Sequence, residues 1–456
     1  NHESDFQELI VKEGRSIENK RPTKKDLRIE QAPIHKFKNT SVFFVEKMKD
    51  LGDKETGKFI NYLFNNVKII RIDCQSVSFA IKLFQVLNDR GLDLSNADLI
   101  KSFLIGKIHK KYLEDSEVRK QHEDQFMDDW KSCENMAIDT EESMNNLFVM
   151  YEYYLLSKNP ERSLYDELRN LFEPRDPNEV IKEFKDYVNT YKCEVFQAKS
   201  SIIYSLFYLR WSIYWRTIVT TCFYVKYPEQ DEFIKKFRRY YYLNWMAGNT
   251  LSKIKQTSFN LIGYLKEHKP LYEIEKEWNK QLNVEVIQRA ISNLQGDIYF
   301  EPWCKPLLFM IEYEQQDSPS NFSMSDRNIQ TEHILPQAFN KVAAWNFANN
   351  IKDIKNWIHT GANLTLLSGQ KNLNARNYAF ETKINSYDGT GLEDINDTKI
   401  SSFKITQKIV NDYSNNKYRK QWNLQAINAR WEWYIEQVEK ILEINIENDK
   451  IELIEN

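Results

Sequence analysis

The sequence contains little glycine and little proline, 12 and 11 residues among 456. Both residue types interrupt regular structure, since glycine admits unusual backbone conformations and proline lacks a hydrogen-bond donor. Aromatic residues are abundant by contrast, with 26 Phe, 25 Tyr and 11 Trp. Long helices with few tight turns are therefore expected. The length suits two or three domains, and the sequence predicts a mainly α-helical protein.

Cysteine is also scarce. The five cysteines are scattered along the chain and include no C-x-x-C pair. An odd number without paired spacing argues against a disulfide framework and against a structural zinc site. The pattern is typical of a protein in a reducing compartment, and a cytoplasmic location is predicted.

Neither sign of charge dominates, because 63 basic residues face 66 acidic ones and the net charge is −3. A general attraction to nucleic acid is therefore excluded, and any such binding must come from local patches. Long apolar runs are lacking too. The most apolar stretch, residues 201–224, is interrupted by Arg210 and Arg216, each of which would cost about 2.5–3.5 kcal/mol at a bilayer centre. A buried helix is expected there, and no membrane association.

Residues 108–300 have apolar residues at helical spacing and no internal repeat. Proline-containing breaks at 158–160, 174–177 and 227–228 divide this region. It is predicted to be a helical middle region. Within it, residues 235–242 interleave four cations with aromatic rings. Such a face can bind nucleic acid, but a helix with buried rings and solvated cations is the favoured interpretation.

The densest set of chemically active side chains lies in residues 331–383. Glu332 and His333 are neighbours in a short apolar segment that a proline ends three residues later. Asn363 begins a second, strand-like segment with the sequence N-L-T-L-L, and Asn372 opens a polar, helix-like run. An acid, an imidazole and two amides can together hold one divalent metal ion and one general base.

Cutting a phosphodiester requires a base that deprotonates water and a cation that stabilises the leaving oxygen. Hard divalent cations prefer oxygen ligands and keep several waters, so a carboxylate and an amide oxygen suffice. Neighbours in a strand point to opposite faces. Glu332 and His333 can therefore serve one site only if the strand ends or bulges there, which Pro336 favours. His359 is an alternative imidazole, but it lies in an amphipathic spacer without an acidic neighbour, and a local structural role is favoured.

Residues 78–107 are predicted to form a helical hairpin. A helical stripe runs up to Asn88 and Arg90, and a glycine follows, as at many helix ends. Ser95 with Asp98 three residues later is typical of a capping box at the start of the next helix. Asn88, Arg90 and Asp98 are candidates to shape a pocket.

The segments E-H-I-L-P-Q and N-L-T-L-L, with an asparagine nine residues after Asn363, together resemble the HNH, or ββα-metal, nucleases. The match is closest to DUF1524, the nuclease module of GmrSD-like proteins. The resemblance implies that His333 is the general base and that Asn363 braces this histidine or its loop. It also implies that Glu332 and Asn372 are metal ligands. A ββα-metal domain holding one Mg²⁺ or Mn²⁺ is expected in residues 301–456.

This sequence departs from many HNH nucleases in two ways. Glu332 stands where many have Asp, which changes the reach of the carboxylate. Asn372 stands where many have His, which favours an oxygen-loving metal over zinc or nickel. Asn374 and Asn377 compete with Asn372 for the ligand role.

The same resemblance implies that three basic residues near the site contact the scissile phosphates of DNA. These are Lys371, Arg376 and Lys383. Arg376 is the better anchor of the three, because a guanidinium group can bind phosphate through two parallel hydrogen bonds.

Residues 84–101 resemble DUF262, the ParB/sulfiredoxin-like N-terminal module of GmrSD-type modification-dependent restriction systems. In that family the module is similar to a nucleotide-using regulator with an upstream D-G-Q-Q-R motif, which this sequence lacks. Residues 1–107 are therefore expected to form the rear part of a DUF262-like regulatory module. Residues 108–300 would be the helical region and 301–456 the nuclease. A nucleotide is expected only through a module that is not complete in this chain.

Together these patterns predict a metal-dependent DNA endonuclease of the HNH class. Its expected role is modification-dependent restriction or defence against phage, and its expected partner is DNA, including modified phage DNA. Two alternatives stay open: a DNA-binding regulatory protein with an inactive HNH-like site, and an RNase.

Overall fold

A computed structural model describes residues 33–69, 95–317, 321–322, 328–389 and 403–446. The chain divides into two compact units, residues 1–75 and 76–456. In the first unit the described part is one helical segment, α1 (Pro33–Asn66), with a break at Gly52, whose φ of 74° lies outside the helical region.

The second unit is mainly helical, as predicted. Among its described residues, helices α2 to α13 precede a small sheet, and α14 to α17 follow the second strand of that sheet. The helices are α2 (Asn96–Lys111), α3 (Ser116–Asp139), α4 (Met144–Leu156), α5 (Leu164–Phe172), α6 (Pro177–Thr190), α7 (Ser201–Leu206), α8 (Ser212–Tyr224), α9 (Gln230–Met246), α10 (Leu251–Lys266), α11 (Leu271–Gln281), α12 (Val284–Gln295), α13 (Cys304–Glu314), α14 (Gly369–Ala375), α15 (Phe380–Asp388), α16 (Lys404–Ser414) and α17 (Leu424–Leu442). A π-helical turn (Tyr191–Phe196) follows α6.

Local sequence explains where many of these helices begin. Eight of them start behind a Ser, Asp or Asn whose side chain accepts a backbone N–H of the first turn, which satisfies a donor that the helix itself cannot. The eight are Ser95, Asp115, Ser143, Ser163, Asp176, Ser200, Asn283 and Asn423. The three predicted breaks also coincide with helix boundaries, because they separate α4 from α5, α5 from α6 and α8 from α9. Among the described residues, no helix is both long and apolar enough to cross a membrane.

Helix α9 carries the predicted basic and aromatic run. Its rings, including Phe237 and Tyr241, are buried. Its cations contact protein groups: Lys235 pairs with the Glu443 carboxylate, and the buried Arg238 donates to the Ile441 carbonyl. The favoured interpretation of buried rings is confirmed, but the cations are engaged by the protein more than by solvent.

The sheet lies between two apolar cores. Strand β1 (Ile329–His333) pairs antiparallel with β2 (Leu364–Ser368). On one face, Leu364 and Leu366 join the large core that runs through α2 to α13. On the other face, Leu367 joins a smaller core formed after β1. The predicted boundaries at 107 and 300 both lie inside the second unit, and the three-domain division stays a prediction.

Candidate active site

The ladder between β1 and β2 is continuous from the Ile329–Ser368 pair to the His333–Leu364 pair. Side chains of successive strand residues point to opposite faces. Glu332 and His333 therefore point away from each other, and no bulge brings them to one side. The predicted metal ligand, Glu332, and the predicted base, His333, therefore lie on opposite faces of β1, at the same end of the strand.

His333 is 7% exposed and lies among aromatic and polar side chains. Its Nε2 is 2.9 Å from Nδ1 of His359, its ring centroid is 4.3 Å from that of Tyr299, and its Nδ1 is 3.4 Å from the Gln337 side-chain nitrogen. Burial lowers the pKa of His333 to about 3, assisted by the nearby His359 and Lys383. The imidazole is therefore neutral near pH 7, the state in which it can accept a proton.

The contact with His359 was not expected, since the sequence favoured a local structural role for this residue. The two histidines are 26 positions apart in the sequence. Residues 298 and 299, at the end of the helical region, contact His359. The Ile298 and Tyr299 N–H groups donate to the His359 carbonyl at 3.1 and 3.2 Å, and the Tyr299 ring stacks on the imidazole. Sequence spacing carries no signal for this contact, because irregular turns separate His359 from both strands.

Glu332 lies on the opposite face in a buried ion pair. Its Oε1 accepts from Lys383 Nζ at 2.6 Å and from the Tyr387 hydroxyl at 3.2 Å. Lys383 Nζ also donates to the His333 carbonyl at 2.6 Å. Burial raises the pKa of the Glu332 carboxyl, which the ion pair with Lys383 opposes. Burial likewise lowers the pKa of the Lys383 ammonium.

The three residues predicted to contact phosphate differ in burial: Lys371 and Lys383 are buried, whereas Arg376 is exposed. Lys383 is 0% exposed and is held by Glu332, so this side chain does not face DNA in this conformation. Lys371 is also buried, and its Nζ donates to the Tyr387 carbonyl at 2.8 Å. Burial of both lysines is tolerated because their ammonium groups find oxygen partners. Their predicted contact with phosphate stays a prediction. Arg376 is exposed, and its Nε donates to the Leu373 carbonyl at 2.9 Å.

Asn372 lies in α14 and contacts β1. Its side-chain amide nitrogen donates to the Gln330 side-chain oxygen. Gln330 precedes Glu332 by two strand positions, so both point to the same face, about 6.6 Å apart along the strand. Asn372 therefore contacts, through Gln330, the strand face to which Glu332 also points. The side chain of the competing Asn374 lies outside the described residues, and the Asn377 carbonyl accepts the indole N–H of Trp345.

This face has the donor chemistry of a hard divalent cation, because Gln330, Glu332 and Asn372 all carry side-chain oxygens. Across the described ranges, no group of three or more His, Cys, Asp or Glu side chains is placed to hold a metal. An ion bound here would therefore have one carboxylate ligand and several waters. It would also share that carboxylate with Lys383, whose positive charge opposes a second cation.

Asn363 acts on the backbone around both histidines. Its Oδ1 accepts the Leu335 N–H at 2.7 Å, and its Nδ2 donates to the carbonyls of Leu335 and Ile358 at 2.8 and 2.9 Å. The side chain is 2% exposed. It ties the loop after β1 to the residue before His359. Of the two roles considered, these hydrogen bonds favour bracing the loop, and the part of Asn363 in catalysis stays a prediction.

The upstream pocket candidates have no common site in the described structure. Asn88 and Arg90 lie outside the described residues. Asp98 is exposed and forms the predicted capping box, in which its N–H donates to Ser95 Oγ and its carboxylate accepts the Ser95 N–H, both at 3.2 Å.

Residues 285–437, which include both strands and both histidines, match the family model described as GmrSD restriction endonucleases, C-terminal domain. The match covers about a third of the chain. This segment is therefore similar to a domain of restriction endonucleases, which are enzymes that cut DNA. A comparison with curated proteins and one with solved structures found no match for the chain.

Proposed function

We propose that the protein is a metal-dependent DNA endonuclease of the HNH class, in which His333 is the general base. The observation that carries this proposal is the position of the buried His333 at the end of the first strand of a strand–strand–helix unit. That unit lies in the segment that matches restriction endonucleases. A role in modification-dependent restriction and phage defence is part of the proposal.

In the proposed reaction, His333 takes a proton from a water molecule whose oxygen attacks the phosphorus. The new P–O bond forms as the bond to the leaving oxygen breaks, and that oxygen receives a proton from solvent. Glu332 and Asn372 would hold Mg²⁺ or Mn²⁺ on the strand face opposite His333, so the phosphate would have to lie across the end of β1 to contact both. The ion, when bound, would supply positive charge to the phosphate and the leaving oxygen. Asn363 keeps the loop after β1 in place, and the exposed Arg376 binds a phosphate.

The buried ion pair between Glu332 and Lys383 supports the first alternative, a DNA-binding regulatory protein with an inactive HNH-like site. An ammonium 2.6 Å from the carboxylate supplies a positive charge without a metal. A protein that needs no ion at this position could bind DNA without cutting it. The RNase alternative has no comparable support in the described contacts, and it enters as one arm of the test.

The test compares cleavage by the full chain of unmodified, glucosylated and phosphorothioate DNA and of RNA. Each is assayed with Mg²⁺ or Mn²⁺, and with or without a nucleoside triphosphate. Wild type and His268→Asn should cut at least one DNA substrate. His268 is an exposed histidine with a positive φ that asparagine tolerates, so it is a matched control. His333→Ala should cut at least about 100-fold more slowly while still binding DNA in a gel-shift assay.

Three outcomes decide among the alternatives. DNA binding without cleavage by wild type under every condition supports the inactive-site alternative. Cleavage of RNA alone supports an RNase. Equal cleavage by wild type and His333→Ala removes His333 from the role of base.

The metal ligands are tested by titrating Mg²⁺ with Asn372→Ala and the control Asn377→Ala. Loss of an oxygen ligand should raise the Mg²⁺ concentration needed for half-maximal cleavage in Asn372→Ala but not in the control. If Asn377→Ala alone raises it, the ligand role belongs to Asn377.

A further inference from the structure

His333 and His359 form a direct imidazole–imidazole hydrogen bond that the proposed reaction does not yet use. Their nitrogens are 2.9 Å apart and their ring planes cross at 81°. A nitrogen carrying a proton must face a nitrogen that lacks one. The contact therefore couples the protonation pattern of the two rings.

Gln337 indicates which nitrogen carries the proton. Its side-chain nitrogen, which can only donate, lies 3.4 Å from His333 Nδ1. With the Gln337 amide in this orientation, His333 Nδ1 accepts. In a neutral imidazole the single proton then lies on Nε2, and this group donates to His359 Nδ1.

We propose that His359 is a positioning residue that selects the Nε2–H tautomer of His333 and so leaves Nδ1 as the proton-accepting atom. This inference rests on the proposed function for its catalytic meaning, but the tautomer itself does not depend on cleavage. The exposed Gln337 lies next to Nδ1, and the proposed site of the attacking water is at this end of the ring. After Nδ1 takes a proton, Nε2–H continues to donate to His359, now as a charge-assisted hydrogen bond.

The surroundings of His359 are suited to this role because they hold its ring still. Its carbonyl accepts two backbone N–H groups from residues 298 and 299. The Tyr299 ring stacks on it with centroids 5.5 Å apart, and the Phe300 ring lies 5.0 Å away on the same segment. Asn363 holds the preceding residue through the Ile358 carbonyl. Residues 298–300 and Asn363 thus both position His359, the residue that accepts the hydrogen bond from His333.

Two variants of His359 distinguish the effect of losing its hydrogen-bond acceptor from the effect of losing its ring. Asparagine places an amide oxygen near the former Nδ1 and can still accept from His333, whereas alanine cannot. We expect His359→Ala to lower kcat by about 10–100-fold, by analogy with the partners that orient metal-binding histidines, with little change in KM. His359→Asn should restore most of the rate, and His268→Asn should equal wild type.

The tautomer is read directly by ¹⁵N NMR of the imidazole nitrogens in the full chain, with His333→Gln to assign the signals. Wild type and His359→Asn should show His333 protonated at Nε2, and His359→Ala should lose this preference. A wild-type His333 protonated at Nδ1 would overturn the proposal. So would equal rates in both His359 variants, whether both are as active as wild type or equally impaired.

These measurements also separate this inference from the proposed function. If wild type cuts no nucleic acid, the proposed function fails, and the NMR signals still decide the tautomer. If wild type cuts DNA but the tautomer is independent of His359, this inference fails alone. Should His359→Ala not fold, the wild-type and His359→Asn spectra and rates remain decisive.

Discussion

His333 and Glu332 are consecutive residues with opposite surroundings. His333 is buried beside an imidazole and a tyrosine ring, and burial, assisted by His359, favours its neutral form. Glu332 faces an ammonium and a phenol hydroxyl, which favour a carboxylate that burial alone would protonate. At the scale of the residue, the partners within hydrogen-bonding distance therefore decide which group can accept a proton and which can hold a charge.

The lowered pKa of His333 predicts a pH dependence of stability. The folded protein binds this proton only near pH 3, whereas the unfolded chain binds it near pH 6.5. The unfolded state thus binds more protons between these values, and the free energy of unfolding falls as the pH drops below 6.5. Between pH 7.5 and pH 5, His333 should account for about 2 kcal/mol of the loss.

Urea unfolding at both pH values measures this difference. His333→Gln, which does not titrate, should lose about 2 kcal/mol less than wild type between pH 7.5 and pH 5. The exposed His268→Asn variant should behave as wild type. An unchanged pH dependence in His333→Gln would show that this imidazole titrates normally in the folded protein.

At the scale of the element, α15 joins the two faces of the site. Lys383 and Tyr387 are four residues apart and so lie on the same side of this helix. Both reach the Glu332 carboxylate. Lys383 also binds the His333 carbonyl, so this one helix holds the end of β1 through a side chain and through the backbone.

Lys383→Met should destabilise the protein by about 3–5 kcal/mol, because it leaves the Glu332 carboxylate buried without its cation. The double variant Glu332→Gln/Lys383→Met removes both charges and should lose less than the single variant. Urea unfolding of the three proteins at one pH measures this. Equal losses in the single and double variants would mean that the charge pairing contributes little.

The turn before β2 packs closely on α17 at Gly361. A Cβ at this position would overlap the ring of the buried Tyr434. Gly361→Ala should therefore cost about 1–3 kcal/mol through overpacking. Adding Tyr434→Leu removes the overlapping atoms, so the two changes should not be additive in thermal or urea unfolding. Strict additivity would mean that the turn relaxes away from α17.

At the scale of the whole molecule, near-balanced charge leaves DNA binding to particular side chains. The cations of α9 are engaged with groups such as the Glu443 carboxylate, and Lys371 and Lys383 are buried. Arg376, which is exposed next to α14, is therefore the best-placed phosphate contact among the three predicted.

Arg376→Ala should weaken DNA binding and reduce the slope of log affinity against log salt by about 0.9, the contribution of one phosphate contact. Lys235→Ala is the matched control, because Lys235 already pairs with Glu443 and should leave the slope unchanged. Binding to a short duplex at several salt concentrations measures both. An equal change in the two variants would mean that binding follows net charge and not this contact.

The local elements of this protein could be predicted from its sequence. Proline breaks, the Ser95–Asp98 capping box and the apolar segments around Glu332 and Asn363 act over a few residues, and the structure has helix boundaries and strands at these positions. Strand geometry also predicts that the side chains of Glu332 and His333 point to opposite faces. The strand does end at His333, but the ladder is regular up to that residue, so no bulge turns the two side chains to one face.

By itself the sequence determined the helical class, the two strands and which polar residues stand near them, since these depend on short-range backbone preferences and apolar spacing. Only the tertiary structure decided the partners. His359 meets His333 across 26 residues and Lys383 meets Glu332 across 51. Those contacts exist because residues 298–300 and α15 pack against opposite faces of one short sheet. Packing of distant segments determines burial, and burial keeps the His333 imidazole neutral and takes Lys371 and Lys383 away from the surface.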